Sequence, residues 1–321
     1  MKLKDYRLAA YISQVDIAAQ LGVSYEAYQR WESGLIPVPK SKLEQLAIIL
    51  KVSVEDILKE DLLPGQTRND EAVRAGLENY GKVAIHFAGR GAPLLLSISK
   101  IAFSRLKHDL EEHDCEFLIV ESQSNQSVII RSGAVSDIFL HQEIHGIVAL
   151  EADEYENHAA YENVELNDWA IVASIAQGDT DIEDFEPADV ERVRRTISAP
   201  NIDNKQLIRT QKVKKKDLKL RKKAVQNRTI SIFQLATEMT YQASNGTRRN
   251  ILVQDACDVF EAFCGYIDLS KRFPDETRIE LRMNDGEENI YINKSTFDYI
   301  SIPTHLFECG RVDLLYLEDP D

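Results

Sequence analysis

Over the first sixty residues, apolar side chains recur at helical intervals and are broken by short polar stops. Leu3, Tyr6, Leu8 and Tyr11 mark a first helix; Val15, Ile17, Ala18 and Leu21 mark a second. Ser13 stands where a hydroxyl can accept an orphan backbone N–H, and Gly22 where a helix stops. Ser24 caps a third helix, Tyr25 to Glu32, with Ala27, Tyr28 and Trp31 facing inward and Gly34 ending it. Beyond Pro37 and Pro39, the spacing of Leu43, Leu46, Ala47 and Leu50 predicts a fourth helix. Ser53 caps a fifth that contains Val54, Ile57 and Leu58. Five short helices in this span predict a compact bundle. The brief turn Leu21-Gly22-Val23-Ser24 fixes the second and third helices at a steep angle.

After a polar break at Pro64-Gly65-Gln66-Thr67-Arg68-Asn69-Asp70 the pattern changes to strands alternating with helical stretches. Val83 to Ala88 and Leu94 to Ile98 read as a hairpin about Gly89-Arg90-Gly91, followed by a helix over about 99–112. Glu116–Glu121 and Ser127–Arg131 form a second hairpin, and a final strand is expected near Ile147–Glu151. The same order is predicted again further on. Glu238–Gln242 and Asn250–Val253 flank Asn245-Gly246, and a helix follows at about 255–264. Arg278–Met283 and Asn289–Asn293 flank Asp285-Gly286, and a last strand is expected at Val312–Leu317. Ala170–Ile175 reads as one further strand. The predicted fold is multidomain: an all-α five-helix bundle followed by an α+β region of two similar modules, with a pseudo-twofold groove between them. The expected segments are 1–62 (bundle), 63–80 (linker and helix), 81–153 (first module), 154–204 (acidic connection), 205–228 (basic helix) and 229–321 (second module).

Charge sharpens this division. The net charge is −15, yet residues 1–60 hold eight Lys/Arg and eight Asp/Glu. Residues 132–191 hold sixteen acids and neither Lys nor Arg, whereas 205–228 hold eleven Lys/Arg and one acid, Asp217. The acidic stretch reads as a solvated surface, or as an intramolecular cover that occupies a basic surface until displaced. The basic stretch reads as an exposed connecting helix, or as a secondary nucleic-acid contact through Lys214, Lys215, Lys216, Lys219, Arg221, Lys222 and Lys223. No aromatic residue interleaves those cations, so base stacking is not expected.

The remaining chemistry is sparse. Cys115, Cys257, Cys264 and Cys309 include no Cys-x-x-Cys pair and read as reduced thiols. His141-Gln142-Glu143-Ile144-His145 lacks the Glu that must follow the first His of a zinc-protease helix, and the His108, His113, Asp114, Cys115 grouping fits no structural zinc spacing. Gly89-Arg90-Gly91 lacks the later glycines and the Lys of a phosphate loop. No enzyme activity, metal or cofactor is expected. No apolar run is long enough for a bilayer and the N-terminus has no signal-peptide pattern, so no membrane is expected and the cytoplasm is the expected location.

Ile12-Ser13-Gln14 through Ala18, Leu21 to Ser24, Trp31-Glu32-Ser33-Gly34 and Val52 to Leu58 together resemble the Cro/C1-type (XRE) helix-turn-helix family, in register across all five predicted helices. The resemblance implies double-stranded DNA as partner. It places Gln14 and Ser24 on phosphates, and Tyr25, Glu26 and Arg30 at base-facing positions, with Gln29 next. Lys40 and Lys42 would lie near the backbone. Arg30 can donate twice to guanine and Glu26 can accept from cytosine. It also places Trp31 in the core and pairs Arg7 with Glu32. Tyr11 departs from the family's Gly or Asn, so the connection between the first two helices is expected to differ. No nucleophile motif of self-cleaving repressors is present, so no autoproteolysis is expected. The expected protein is a homodimeric DNA-binding transcriptional regulator, a repressor, whose C-terminal region dimerises and senses a small-molecule or protein effector. The alternatives are an antitoxin-like or complex-assembly module that binds protein, and nucleic-acid binding through the basic helix and the duplicated module.

Overall fold

The computed structural model describes residues 3–10, 12–34, 36–54, 57, 79–89, 92–111, 115–142, 164–198, 217–267, 277–283 and 288–317. Tyr11, the Pro64–Asp70 break, the strand expected at Ile147–Glu151, the basic residues up to 216 and the Asp285-Gly286 turn lie outside them.

The N-terminal bundle contains α1 (Leu3–Ala9), α2 (Gln14–Leu21), α3 (Tyr25–Ser33) and α4 (Lys40–Leu50). Each junction is set locally. The Ser13 hydroxyl accepts from the Asp16 N–H at 3.1 Å, and the Ser24 hydroxyl accepts from the Ala27 N–H at 3.1 Å. Gly22 (φ 65°) and Gly34 (φ 78°) take the left-handed conformation that ends α2 and α3, where a Cβ would be strained. Leu3, Ile17, Leu21, Tyr28, Trp31, Leu43, Leu46, Leu50 and Ile57 close the core. Arg7 and Glu32 are buried against one another within it, Nε to Oε2 at 2.9 Å.

The remainder is α+β. Its strands are β1 (Asn79–Phe87), β2 (Leu94–Ser99), β3 (Phe117–Ser122), β4 (Gln126–Arg131) and β5 (Val135–Gln142), with α5 (Lys100–Glu111) between β2 and β3. After α6 (Trp169–Ala176), α7 (Pro187–Ile197) and α8 (Asp217–Thr237) come β6 (Glu238–Ala243), β7 (Arg248–Leu252) and α9 (Ala256–Ile267). The chain then runs through β8 (Arg278–Met283), β9 (Glu288–Asn293), β10 (Phe297–Pro303) and α10 (Thr304–Leu317). Eight strands form one antiparallel sheet in the order β5-β1-β2-β3-β4-β10-β6-β7, and β8 and β9 form a separate ribbon.

Strands β3, β4 and β10 lie at the middle and are covered on both faces. Leu118, Val120, Val128 and Ile130 point into one core with Val83, Ile85, Leu96 and Leu106. Phe117, Ile119, Ile129, Ile300 and Ile302 point into the other with Val259, Phe263, Leu281 and Ile292. Burial on both faces is why β3 and β4 carry the unbroken apolar runs Phe117–Val120 and Val128–Ile130.

Three expectations are corrected. Ala170–Ile175 belongs to helix α6, not to a strand. An apolar run without alternation suits a helix buried all round, and α6 lies between α8 on one side and the bundle, which Ala170 touches, on the other. Val312–Leu317 ends helix α10 instead of forming a strand, with Phe307, Cys309 and Val312 as its buried positions. The strand that joins the sheet there is β10, whose Asp298 is buried beneath the Gln242 side-chain amide at 3.2 Å. Lastly, no groove divides the two predicted modules. Their strands join edge to edge where β10 pairs with β4, Tyr299 opposite Ile130, so the sheet is continuous.

Candidate nucleic-acid interface

The turn between α2 and α3 is pinned from both sides. Gly22 ends α2, the Val23 N–H returns to the Ala18 carbonyl at 3.1 Å, and Ser24 begins α3. The Lys42 ammonium reaches across to the Leu21 carbonyl at 2.6 Å, neutralising the negative end of α2. The second and third helices are therefore held at one angle, as insertion of α3 into a major groove requires.

The side chains assigned to DNA are linked to one another. The Tyr25 hydroxyl donates to Gln14 Oε1 at 3.2 Å and accepts from Gln29 Nε2 at 2.8 Å, and Gln14 Nε2 donates to Glu32 Oε1 at 3.2 Å. One chain of hydrogen bonds thus runs from the buried Arg7–Glu32 pair through Gln14 and Tyr25 to Gln29. Gln14 and Gln29 are buried, Tyr25 and Lys42 are half-buried, and Ser24 and Lys40 are exposed. Glu26 lies on α3 with its side chain outside the described residues. Of the basic segment, Lys214, Lys215 and Lys216 lie outside the described residues. Lys219, Arg221 and Lys222 lie on α8 with undescribed side chains, and Lys223 is exposed.

Arg30 points elsewhere. Its guanidinium faces Asp313 of α10, with Nη2 3.8 Å from the carboxylate, and its Nε is buried with no hydrogen-bond partner among the described residues. Burial opposes its charge, yet Cys309, Asp313, Asp181 and Asp184 hold its pKa above the usual value. His305, at the start of α10, is kept neutral, its pKa pushed down to about 3 by burial and then by the Arg30 charge. On the same side of the bundle, Glu186 Oε2 accepts from the Lys40 backbone N–H at 2.9 Å. Phe185 packs into both the bundle core and the cluster beneath α6. Sequence reasoning missed Asp313, which was assigned to a strand. The acid-rich composition of 132–191 was the one signal for Asp184 and Glu186.

Asp184 carries the clearest pH dependence. Its carboxyl is pushed up to about 6 by burial first and then by Asp181 and Glu183, against the opposing pull of Arg30 and Lys42. A carboxyl whose folded pKa is raised gives stability that is complete below its ordinary pKa and is lost as pH rises through about 6. Asp184→Asn is therefore expected to match the wild type near pH 4. Above pH 6.5 it should exceed the wild type by about 1 to 3 kcal/mol, the scale of a shift of one to two pKa units. His305 contributes the opposite slope, but it is present in both proteins and cancels in the difference. Urea unfolding at several pH values reads this out, and a pH-independent difference would remove Asp184 as the cause.

A helix-turn-helix family model matches residues 3–57. No curated protein and no solved structure matches the chain. Among the described residues no helix is long and apolar enough to cross a membrane.

Proposed function

We propose, from the premise that residues 3–57 are a helix-turn-helix domain of the Cro/C1 (XRE) type, that this protein is a sequence-specific transcriptional regulator. It acts as a repressor and as a homodimer, with the sheet region serving dimerisation and effector sensing. The observation that carries the reading is the rigidly capped α2–α3 turn, which holds Tyr25, Glu26 and Arg30 on a helix anchored by Trp31 in the core. Gln14, Ser24, Lys40 and Lys42 are assigned to the phosphates on either side. A homodimer follows from this mode of recognition, since one recognition helix reads only one half-site.

The sheet region is read as two related modules. In each, a hairpin is followed by a helix, a second hairpin and a closing strand, and the closing strand pairs with the first strand of its own first hairpin: β5 with β1, and β10 with β6. The Asn245-Gly246 turn of the β6–β7 hairpin, with Gly246 at φ 87°, supports this reading.

The test is the ratio of affinities for selected and mismatched genomic fragments. Arg30→Ala is expected to collapse that ratio by about tenfold or more at one base pair, the value of a lost bidentate guanine contact. The ratio is the right measure because any equilibrium within the free protein scales all fragments alike. An unchanged ratio counts against direct readout by Arg30. A second reading, a module that binds protein through the same face, is favoured by one observation: α3 already packs against α10. A mobility shift on DNA upstream of the protein's own gene separates the two.

A further inference from the structure

Asp184, Phe185, Glu186 and Asp313 come from parts of the chain far from the bundle. Yet Phe185 packs against its core, Glu186 accepts from the Lys40 N–H, Asp313 faces Arg30, and Asp184 lies within the field of Arg30 and Lys42. We infer that this contact is autoinhibitory: the C-terminal region lays acidic groups over the DNA-reading side of the bundle, where phosphates and base edges would stand, and DNA binds only when it undocks. This inference rests on the DNA-binding reading above.

Glu186 occupies the N-terminus of α4. Pro39, the residue before that helix, offers no side-chain cap, so the Lys40 N–H turns outward and takes the Glu186 carboxylate. An uncapped helix N-terminus is a ready site for an anion, carboxylate or phosphate, but it holds one at a time. Arg30 is engaged in the same way. A guanidinium turned toward Asp313 does not reach a guanine edge, and the fields of Asp181 and Asp184 favour its charge there. The steric argument is stronger still. The major groove is about 12 Å wide, and a helix with its side chains is about 10 to 12 Å across. With α10 packed against α3, the pair is too broad to enter together.

The contact is also built to release. Arg30 and Asp313 stand 3.8 Å apart, beyond hydrogen-bond range, and Arg30 Nε has no hydrogen-bond partner among the described residues. The apolar part of the contact rests on Phe185 and Ala170, which pack against the bundle core. An interface this imperfect holds the closed form by a modest margin. If about one molecule in a hundred is open, the apparent Kd rises about a hundredfold over that of the open form. A ligand or partner that draws α10 or the 179–186 turn away would restore binding without touching the bundle.

The test uses the full chain carrying Glu186→Gln with Asp313→Asn, beside a charge-matched control, Glu111→Gln with Glu288→Gln, at two exposed acids outside the contact. Two quantities are measured: amide exchange of α3 and of Lys40 without DNA, and binding to a pool of genomic duplex fragments at physiological salt. The expected result is at least tenfold faster exchange at Lys40, together with ten- to hundredfold tighter binding to every fragment. The control should show neither change. Glu186→Lys alone, which adds repulsion, should act in the same direction and guards against misfolding of the double variant. Unchanged exchange in both variants overturns the docking. Faster exchange with unchanged affinity, in proteins that do bind DNA, overturns the inhibitory role. Faster exchange with no binding by any variant overturns the DNA-binding reading itself, and the inhibitory role falls with it.

Discussion

Arg7→Met is expected to unfold the helical bundle while the sheet region stays folded. The Arg7 side chain is 2% exposed and that of Glu32 is 0% exposed. Arg7 Nε and Nη2 grip both carboxylate oxygens, at 2.9 and 3.1 Å, and Nη1 donates to the Ile12 carbonyl at 3.0 Å. Without the guanidinium, Glu32 keeps, among the described residues, only the neutral Gln14 amide and must either protonate or remain charged inside the core. Breaking a buried pair from one side costs about 3 to 5 kcal/mol. A bundle of this size holds about 3 to 5 kcal/mol in total, so the single substitution consumes most of its stability. Replacing both partners, Arg7→Met with Glu32→Leu, removes the stranded charge and should recover most of the loss, because the desolvation cost disappears along with the attraction. Residue-resolved amide exchange separates the two regions. A loss below about 1 kcal/mol for Arg7→Met would show that the pair is solvated like a surface ion pair.

The two halves of the molecule were unequally legible in the sequence. In the bundle, structure is set locally: Ser13 and Ser24 cap, Gly22 and Gly34 stop, and Trp31 fills the core at the expected position. The hairpins were legible for the same reason, since their strand ends fall close to turn residues such as Asn245-Gly246. Segments whose environment is tertiary were not. Ala170–Ile175 and Val312–Leu317 are short apolar runs, and apolar runs of that length suit a buried strand and a buried helix equally well. Strand β10 was missed because Asp298, Tyr299 and Ser301 interrupt its apolar positions. Their burial depends on partners such as Gln242 and Arg248, brought there by the fold.

The candidate site shows the same limit. The family resemblance pointed to Arg30, but a pairing with Asp313, 283 residues away, leaves no trace in local spacing. Misreading α10 as a strand removed the element that carries Asp313. The acid-rich composition of 132–191 suggested that some basic surface is covered. Composition alone does not say which acids do the covering, nor that the covered surface lies on the bundle.

Gly310→Ala should disrupt both the fold and the cover over α3. Within a helix, alanine is ordinarily better than glycine by about 1 kcal/mol, so helix propensity predicts stabilisation. The surroundings of Gly310 reverse the sign. A Cβ built there would stand 2.2 Å from the Ala256 carbonyl oxygen, 2.6 Å from its carbon and 2.9 Å from Phe260 Cβ. Two of these atoms are backbone at the start of α9, so no rotamer change relieves the overlap, and α10 must move away from α9. Forcing one extra carbon into a packed contact costs about 1 to 3 kcal/mol, and the rigidity of this contact puts Gly310→Ala at the upper end, outweighing the propensity gain. The displacement matters beyond stability, because α10 also carries Cys309 beside Arg30, and Asp313 one turn further on. A shifted α10 should loosen its contact with α3, so amide exchange in α3 rises even under conditions where the sheet remains folded. Denaturant unfolding and amide exchange together test this. A variant more stable than the wild type, as propensity alone predicts, would mean that α9 and α10 are not in backbone contact in solution.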